Sequence, residues 1–163
     1  MQTGVLDDKI AIGRIDQENM LQVLEETPET YEQAYAEALK SETLPRAHVR
    51  CPRHLALVGM GGSAIAADIL KDWLFESPIM IEVVRSSRLP GSVTAASCVL
   101  VASYSGRTTE ALKGLREALR RRSRISCIAS EGEMIRICRQ ERIPYVQVKA
   151  SLQPREALPH LLS

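Results

Sequence analysis

The chain has 163 residues, 45% of them hydrophobic and 25% charged, which is the balance of an ordinary globular domain. The formal net charge is only +1, so no general attraction to nucleic acid or to an anionic membrane is expected. The basic run at 120–124 falls where a helix should end, and no aromatic residues interleave with it as in nucleic-acid sites. No apolar run approaches the roughly 20 residues that span a bilayer, and residues 1–8 lack a secretory pattern. We expect a soluble, cytoplasmic protein without nucleic-acid or membrane partners.

Residues 1–50 are polar and predict a helical extension in front of the main domain. One helix is predicted to open near Asp16 and to end before Pro28. A second helix is predicted from Thr30, because Thr30 and Gln33 have the spacing of a capping box. This extension is expected to pack on the domain that follows it.

The main domain, 51–163, alternates short apolar runs with segments of helical length. Five strands are predicted, at 55–58, 79–84, 98–102, 125–129 and 145–148. The predicted helices between them occupy 64–75, 108–122 and 133–140. Runs this apolar are typical of parallel strands that are buried on both faces. With right-handed crossovers they form a doubly wound α/β sheet with helices on both faces, for which we expect the strand order 2-1-3-4-5.

The cysteines predict no metal or disulfide chemistry. The chain has four, none of them in a C-x-x-C pair, and Cys98 and Cys127 lie inside predicted strands. Buried thiols in a reducing compartment are therefore favoured over disulfides or a zinc site. We expect the protein to need no metal and no cofactor.

Two loops rich in glycine and hydroxyl groups follow the first and third predicted strands. We call residues 59–63 the first loop and residues 103–108 the second loop. A phosphate site needs N–H groups aimed at one point and small residues that let the anion approach. In the expected strand order both loops open at the switch point, where ligands bind in such sheets. The sequence predicts an anion site formed by Gly61, Gly62, Ser63, Ser103, Ser105 and Thr108.

The same residues can also be explained by structural roles alone. Each hydroxyl group could cap a helix, and each glycine could simply allow a tight turn. A nucleotide ligand is disfavoured, because the first loop lacks the G-x-G-x-x-G pattern and no lysine follows its last glycine. Glu110 is expected to stabilise the dipole of the helix after the second loop. A general-base role is the less favoured alternative, because the carboxylate would lie beside the phosphate and repel it.

The second loop resembles the hallmark of sugar isomerase (SIS) domains, S-x-S-G-x-T-x-E, which the residues from Ser103 to Glu110 match. More narrowly, the first loop, the tyrosine between Ser103 and Ser105, and the segment 151–162 are similar to the bifunctional phosphoglucose/phosphomannose isomerases. The resemblance covers essentially the whole chain. It implies an SIS fold, related to the flavodoxin-like sheets, and a hexose 6-phosphate ligand. Enzymes of this family interconvert aldose and ketose 6-phosphates through a cis-enediolate.

The resemblance also implies that the catalytic groups come from two different domains. It gives Arg155, in the segment 151–162, a catalytic role beside the reacting carbons, where a guanidinium would stabilise the enediolate charge. A surface arginine is the alternative. The family's glutamate base and ring-opening histidine come from a second SIS domain, which we expect to be absent from this chain. His48 and His54 precede the first strand, and neither they nor His160 are expected to substitute.

Two functions are therefore predicted. The first is the sugar-phosphate-binding domain of a glucose 6-phosphate and mannose 6-phosphate isomerase, inactive on its own. The second is a stand-alone sugar-phosphate-sensing or assembly module without chemistry. A homodimer is expected in both cases, since a lone SIS domain would expose apolar surface that the family buries between paired domains.

Overall fold

The computed structural model describes residues 8–40 and 52–148. Three helices come first, namely α1 (Lys9–Ile15), α2 (Met20–Glu25) and α3 (Thr27–Lys40). Strands and helices then alternate through β1 (His54–Val58), α4 (Gly62–Trp73), β2 (Met80–Val84), β3 (Cys98–Ala102), α5 (Thr109–Arg120), β4 (Arg124–Ala129), α6 (Gly132–Glu141) and β5 (Tyr145–Gln147). Across these two ranges, the helices are all too short or too polar to cross a bilayer.

The strands pair in parallel in the order β2-β1-β3-β4-β5, which confirms the predicted topology. Val58, the last residue of β1, lies opposite Val84 of β2 on one side and Val101 of β3 on the other. Ala102, the last residue of β3, lies opposite Ile128 of β4. The carboxyl ends of all these strands therefore meet at one edge of the sheet, and the loops that follow them are neighbours.

The main core lies between the sheet and helices α5 and α6. Its largest fully buried side chains include Leu115 of α5 and Met134 of α6, which pack with Val99 and Val101 of β3. Helix α5 presents one apolar face, as its sequence predicts, with Ala111, Leu112, Leu115 and Ala118 buried. Burial of one such leucine side chain stabilises the fold by roughly 2 kcal/mol. Helix α4 packs on the opposite face, against β1 and β2.

The beginning of the chain contains a helix that the sequence analysis missed. Helix α1 starts after Asp8, whose carboxylate accepts hydrogen bonds from the N–H groups of Ile10 and Ala11 at 2.9 and 3.2 Å. Helix α2 does open near Asp16, as predicted. The Asp16 carboxylate accepts the main-chain N–H groups of the first two residues of α2, both at 2.7 Å.

The predicted end of this helix before Pro28 is confirmed, because α2 ends at Glu25. Pro28 itself lies in the first turn of α3, where a missing N–H group costs nothing. The capping-box interpretation of Thr30 is wrong, because α3 begins at Thr27 and Thr30 is already inside it. Its hydroxyl group donates to the carbonyl oxygen of Glu26 at 2.9 Å.

His54 is the first residue of β1, so it lies at the amino edge of the sheet, opposite the two loops. Its Nδ1 atom lies 2.9 Å from Oγ of Ser97, and its Nε2 atom lies 3.2 Å from a carboxylate oxygen of Glu82. His48 and His160 lie outside the described residues. Among the described cysteines, Cys127 and Cys138 are buried and Cys98 is half-buried, and all three are free thiols.

Candidate functional site

The first loop folds back tightly between β1 and α4. The N–H group of Gly59 donates to the carbonyl oxygen of Val84 at 3.2 Å, and a Cβ atom on Gly59 would lie 3.0 Å from the carbonyl carbon of Ser63. Gly61 has a φ of +52°, which side-chain-bearing residues rarely adopt. Helix α4 begins directly afterwards at Gly62, so the positive end of its dipole lies at the carboxyl edge of the sheet.

The second loop joins β3 to α5 and brings two of its hydroxyl groups together. Ser103 is buried, and its Oγ atom donates to Oγ1 of Thr108 at 2.9 Å. Ser105 is exposed, and its Oγ atom accepts the N–H group of Arg107 at 3.3 Å. Thr108 precedes the first residue of α5, so a second helix N-terminus opens at this edge.

The two loops leave neighbouring strands at the same edge, and we call the space between them the crevice. Ser63 and Ala102 line one small cavity of about 40 Å³ beneath α4, so the first turn of α4 lies against the end of β3. That cavity is far smaller than the roughly 300 Å³ or more of a typical ligand pocket. Every predicted phosphate-binding residue lies in one of the two loops or at the start of α4.

A third loop, residues 130–132 between β4 and α6, was missed by the sequence analysis. Ser130 is buried, and both its N–H group and its hydroxyl group donate to the carbonyl oxygen of Tyr104, at 2.8 and 2.6 Å. This loop therefore supports the second loop from the side away from the first. The signal was present, since Ser130 and Gly132 repeat the small and polar residues that follow the other two strands.

The second and third loops approach each other as closely as their backbones allow. Gly106 has a φ of +61°, and a Cβ atom there would lie 1.7 Å from the carbonyl oxygen of Glu131. Gly132 has a φ of +86°, and its Cβ atom would lie 2.7 Å from the carbonyl oxygen of Ser105. An exposed ion pair of 3.0 Å joins Arg107 to Glu131, and such pairs contribute at most about 1 kcal/mol.

The remaining candidates are placed differently. Glu110 lies in the first turn of α5 and is half-buried, the position that its interpretation as a dipole-stabilising residue requires. Arg155, the predicted catalytic residue, lies outside the described residues, as does the rest of 151–162. Within 8–40 and 52–148, His, Cys, Asp and Glu side chains form no group of three or more that could hold a metal ion.

Comparison with known proteins identifies relatives, although no protein-family model matches the chain. The chain is 34% identical over 113 residues to the bifunctional phosphoglucose/phosphomannose isomerase of Aquifex aeolicus, a match that covers 67% of this chain and 35% of the relative. It is 32% identical over 128 residues to the enzyme of that name from Pyrobaculum aerophilum, covering 78% and 38% of the two chains. This chain is a homologue of bifunctional phosphoglucose/phosphomannose isomerases. It spans little more than a third of the length of these relatives.

A further relative of this chain has a different name. It is the D-glucosamine-6-phosphate 4-epimerase of Sulfolobus acidocaldarius, 28% identical over 136 residues, with 83% of this chain and 42% of the relative covered. Each of these three names combines a phosphorylated sugar with the word isomerase or epimerase.

Solved structures confirm the SIS fold of this chain. The C-terminal domain of glucosamine-fructose-6-phosphate aminotransferase from Francisella tularensis superposes with a TM-score of 0.67 at 20% identity, over 88% of this chain and 45% of that chain. Tagatose-6-phosphate ketose/aldose isomerase from Escherichia coli gives 0.65 at 14% identity over 85% and 44%. The Vibrio vulnificus NanR protein, complexed with ManNAc-6P, gives 0.64 at 13% identity over 94% and 62%.

Proposed function

We propose that this chain is the sugar-phosphate-binding SIS domain of a cytoplasmic aldose–ketose isomerase. The reaction interconverts glucose 6-phosphate, and mannose 6-phosphate, with fructose 6-phosphate. One observation carries the proposal. Two glycine- and hydroxyl-rich loops open side by side at the carboxyl edge of the sheet, in a homologue of phosphoglucose/phosphomannose isomerases. One solved neighbour with this fold is complexed with ManNAc-6P and another is a tagatose-6-phosphate isomerase, which supports a sugar phosphate as the ligand here.

The phosphate group is the part of the substrate that the two loops suit. A phosphate dianion accepts several hydrogen bonds at once, and main-chain N–H groups with hydroxyl groups supply them without a full positive charge. Gly61 and Gly62 let the anion approach the backbone, and Ser63, Ser105 and Thr108 supply hydroxyl groups. The N-termini of α4 and α5 add a favourable potential, of about 0.3–1 kcal/mol each.

Turnover requires groups beyond these loops. Arg155 would stabilise the enediolate, as the resemblance implies. The glutamate base and the ring-opening histidine are assigned by the same resemblance to a second SIS domain. His54, the histidine among the described residues, lies at the opposite edge of the sheet. We therefore expect the 163 residues alone to bind fructose 6-phosphate weakly and to isomerise it negligibly.

Titration calorimetry on these 163 residues tests the binding step. Fructose 6-phosphate and glucose 6-phosphate should bind, and unphosphorylated fructose and ATP should bind more weakly or not at all. Ser63→Ala should weaken binding, while Ser77→Ala, a serine beyond the far end of α4, serves as the matched control. Tighter binding of ATP than of either sugar phosphate would show instead a nucleotide domain.

The alternative, a stand-alone sensing module, shares the ligand and differs in chemistry. A coupled isomerase assay on the complete gene product separates the two functions. Turnover of fructose 6-phosphate supports the isomerase, whereas ligand-dependent stabilisation without turnover supports the module.

We also propose that the chain forms a homodimer through the outer face of α4. Ile65, Ile69 and Trp73 recur every four residues on this helix and are 50%, 40% and 80% exposed. Phe75, 85% exposed, follows the helix, and Met80 at the start of β2 is 60% exposed. Together these side chains offer about 600 Å² of apolar surface, counting an exposed aromatic side chain as about 200 Å². A second copy is the occupant that this area favours, since two such faces approach the roughly 1,200 Å² at which stable interfaces begin.

A further inference from the structure

We infer that the third loop is the positioning part of the phosphate site: it turns two peptide groups of the second loop so that their N–H groups face the crevice. The inference rests on the proposed function and adds Ser130 and the start of α6 to the site. Neither touches the ligand. Their role is to fix the direction of donors that do.

The first of these peptide groups joins Tyr104 to Ser105. Its carbonyl oxygen accepts two hydrogen bonds from Ser130, one from the N–H group at 2.8 Å and one from the hydroxyl group at 2.6 Å. Both lone pairs of the oxygen are thereby directed at the third loop. The described backbone has no cis peptide bonds, and in a trans peptide the N–H and C=O groups point in opposite directions. The N–H group of Ser105 therefore points away from the third loop.

The second peptide group joins Gly106 to Arg107. Its carbonyl oxygen accepts the N–H group of Met134, in the first turn of α6, at 3.0 Å. The N–H group of Arg107 accordingly points away from α6. It reaches Oγ of Ser105 at 3.3 Å, a long and weak hydrogen bond that a charged phosphate oxygen can replace.

The strand order decides what lies in that direction. The second loop follows β3, the third loop follows β4, and the first loop follows β1, which is the other neighbour of β3. A donor in the second loop that points away from the third loop therefore points toward the first loop. In the proposed site both N–H groups face the crevice, where the phosphate would lie.

The support is rigid enough to preserve these directions. Ser130 is 3% exposed, and its own carbonyl oxygen accepts Nε2 of Gln147 at 2.9 Å, which ties the third loop to β5. Gly106 and Gly132 leave no space in which the two loops could shift closer. Donors that are held in place before the ligand arrives need no reordering on binding, so they contribute more to affinity than mobile donors do.

Two variants separate positioning from stability. Ser130→Ala removes the hydroxyl bond to Tyr104. Ser97→Ala is the matched control, because Ser97 is also buried and accepts a main-chain N–H group, from Thr94 at 2.9 Å, at the opposite edge of the sheet. Both variants should lower the melting temperature. Only Ser130→Ala should weaken the binding of fructose 6-phosphate and of inorganic phosphate, by about tenfold.

Amide spectra of the unmodified chain give an independent readout. On addition of inorganic phosphate, the N–H resonances of Ser105 and Arg107 should shift among the most in the second loop, and Ser130→Ala should reduce both shifts. If phosphate binds and these two resonances stay in place, the inference is wrong and the proposed function stands. Wild-type affinity in a folded Ser130→Ala variant has the same meaning. If the wild-type chain binds neither fructose 6-phosphate nor phosphate, both proposals fail together.

Discussion

Ser103 and Thr108 are in direct contact through their hydroxyl groups, with Oγ of Ser103 donating to Oγ1 of Thr108 at 2.9 Å. The proton of Ser103 is therefore engaged inside the second loop. Thr108 accepts that bond through its hydroxyl oxygen. We propose that the two hydroxyl groups have different roles in the phosphate site: Ser103 orients Thr108, and Thr108 donates to a phosphate oxygen.

Thr108→Val should weaken fructose 6-phosphate binding by about tenfold, because it removes this donor while keeping the shape of the side chain. Thr108→Ser, which retains the hydroxyl group, should stay within about threefold of wild type. Calorimetry measures both. Equal affinities for the valine variant and the wild-type chain would remove Thr108 from the site.

Gly106 and Gly61 form a natural pair for testing the tightness of the second loop. Both have positive φ values, +61° and +52°, but only Gly106 has backbone atoms within reach of an added Cβ atom. Gly61→Ala should therefore cost only conformational strain, about 1–2 kcal/mol. Gly106→Ala must also displace the third loop and should cost more than about 3 kcal/mol. Urea unfolding of the two variants measures the difference, and similar losses would contradict the close approach.

Glu117 and Arg121 of the α5 C-terminal region hold the segment between β2 and β3. A carboxylate oxygen of Glu117 accepts the N–H group of Leu89 at 2.9 Å, and Arg121 donates to the carbonyl oxygens of Leu89 and Val93 at 2.9 and 2.8 Å. The Leu89 N–H group, followed by Arg121, lowers the pKa of Glu117 below its ordinary value of 4.5. Burial opposes this shift without reversing it.

The lowered pKa predicts how the stability contributed by Glu117 depends on pH. A carboxyl group whose pKa is lower in the folded state stabilises that state above its unfolded pKa, and the contribution is lost as pH falls toward the folded pKa. Glu117→Gln should cost about 1–2 kcal/mol at pH 7, and the cost should shrink below about pH 4.5. Urea unfolding at several pH values measures it, with the exposed Glu76→Gln as the control. A cost independent of pH would contradict the ionic role of Glu117.

Trp73→Asp should shift the chain toward monomer if the outer face of α4 pairs with a second copy. The substitution places a charge in the apolar face, whereas Lys71→Ala alters an exposed polar position of the same helix and should leave association unchanged. Light scattering at micromolar concentrations measures the mass. A wild-type monomer across this range would refute the homodimer.

Hydrophobic patterning was sufficient to predict the sheet, because strands β1 to β5 are short and apolar, and helices separate every consecutive pair except β2 and β3. Local sequence patterns misplaced the start of α3, which begins at Thr27 and not at Thr30, because a proline such as Pro28 fits in the first turn of a helix. The third loop was missed for a different reason. Its contact with Tyr104 and Gly106 joins residues that are 26 and 25 positions apart, and no local pattern encodes that approach. Arg155 stays a prediction, since it lies outside the described residues.

The bond from Gln147 to Ser130 links the proposed phosphate site to the edge strand of the sheet. Strand β5 has three residues and contributes none of the predicted ligand donors. Its loss would nevertheless release the third loop, and with it the peptide groups of the second. We therefore expect the shortest fragment that binds a sugar phosphate to extend through Val148, whose N–H group donates to the carbonyl oxygen of Ala129 at 3.0 Å. The second of the two proposed phosphate-binding loops ends forty residues earlier, at Thr108. The size of a minimal binding fragment is thus determined by the segments that hold the second loop in place, and not by the residues proposed to contact the ligand.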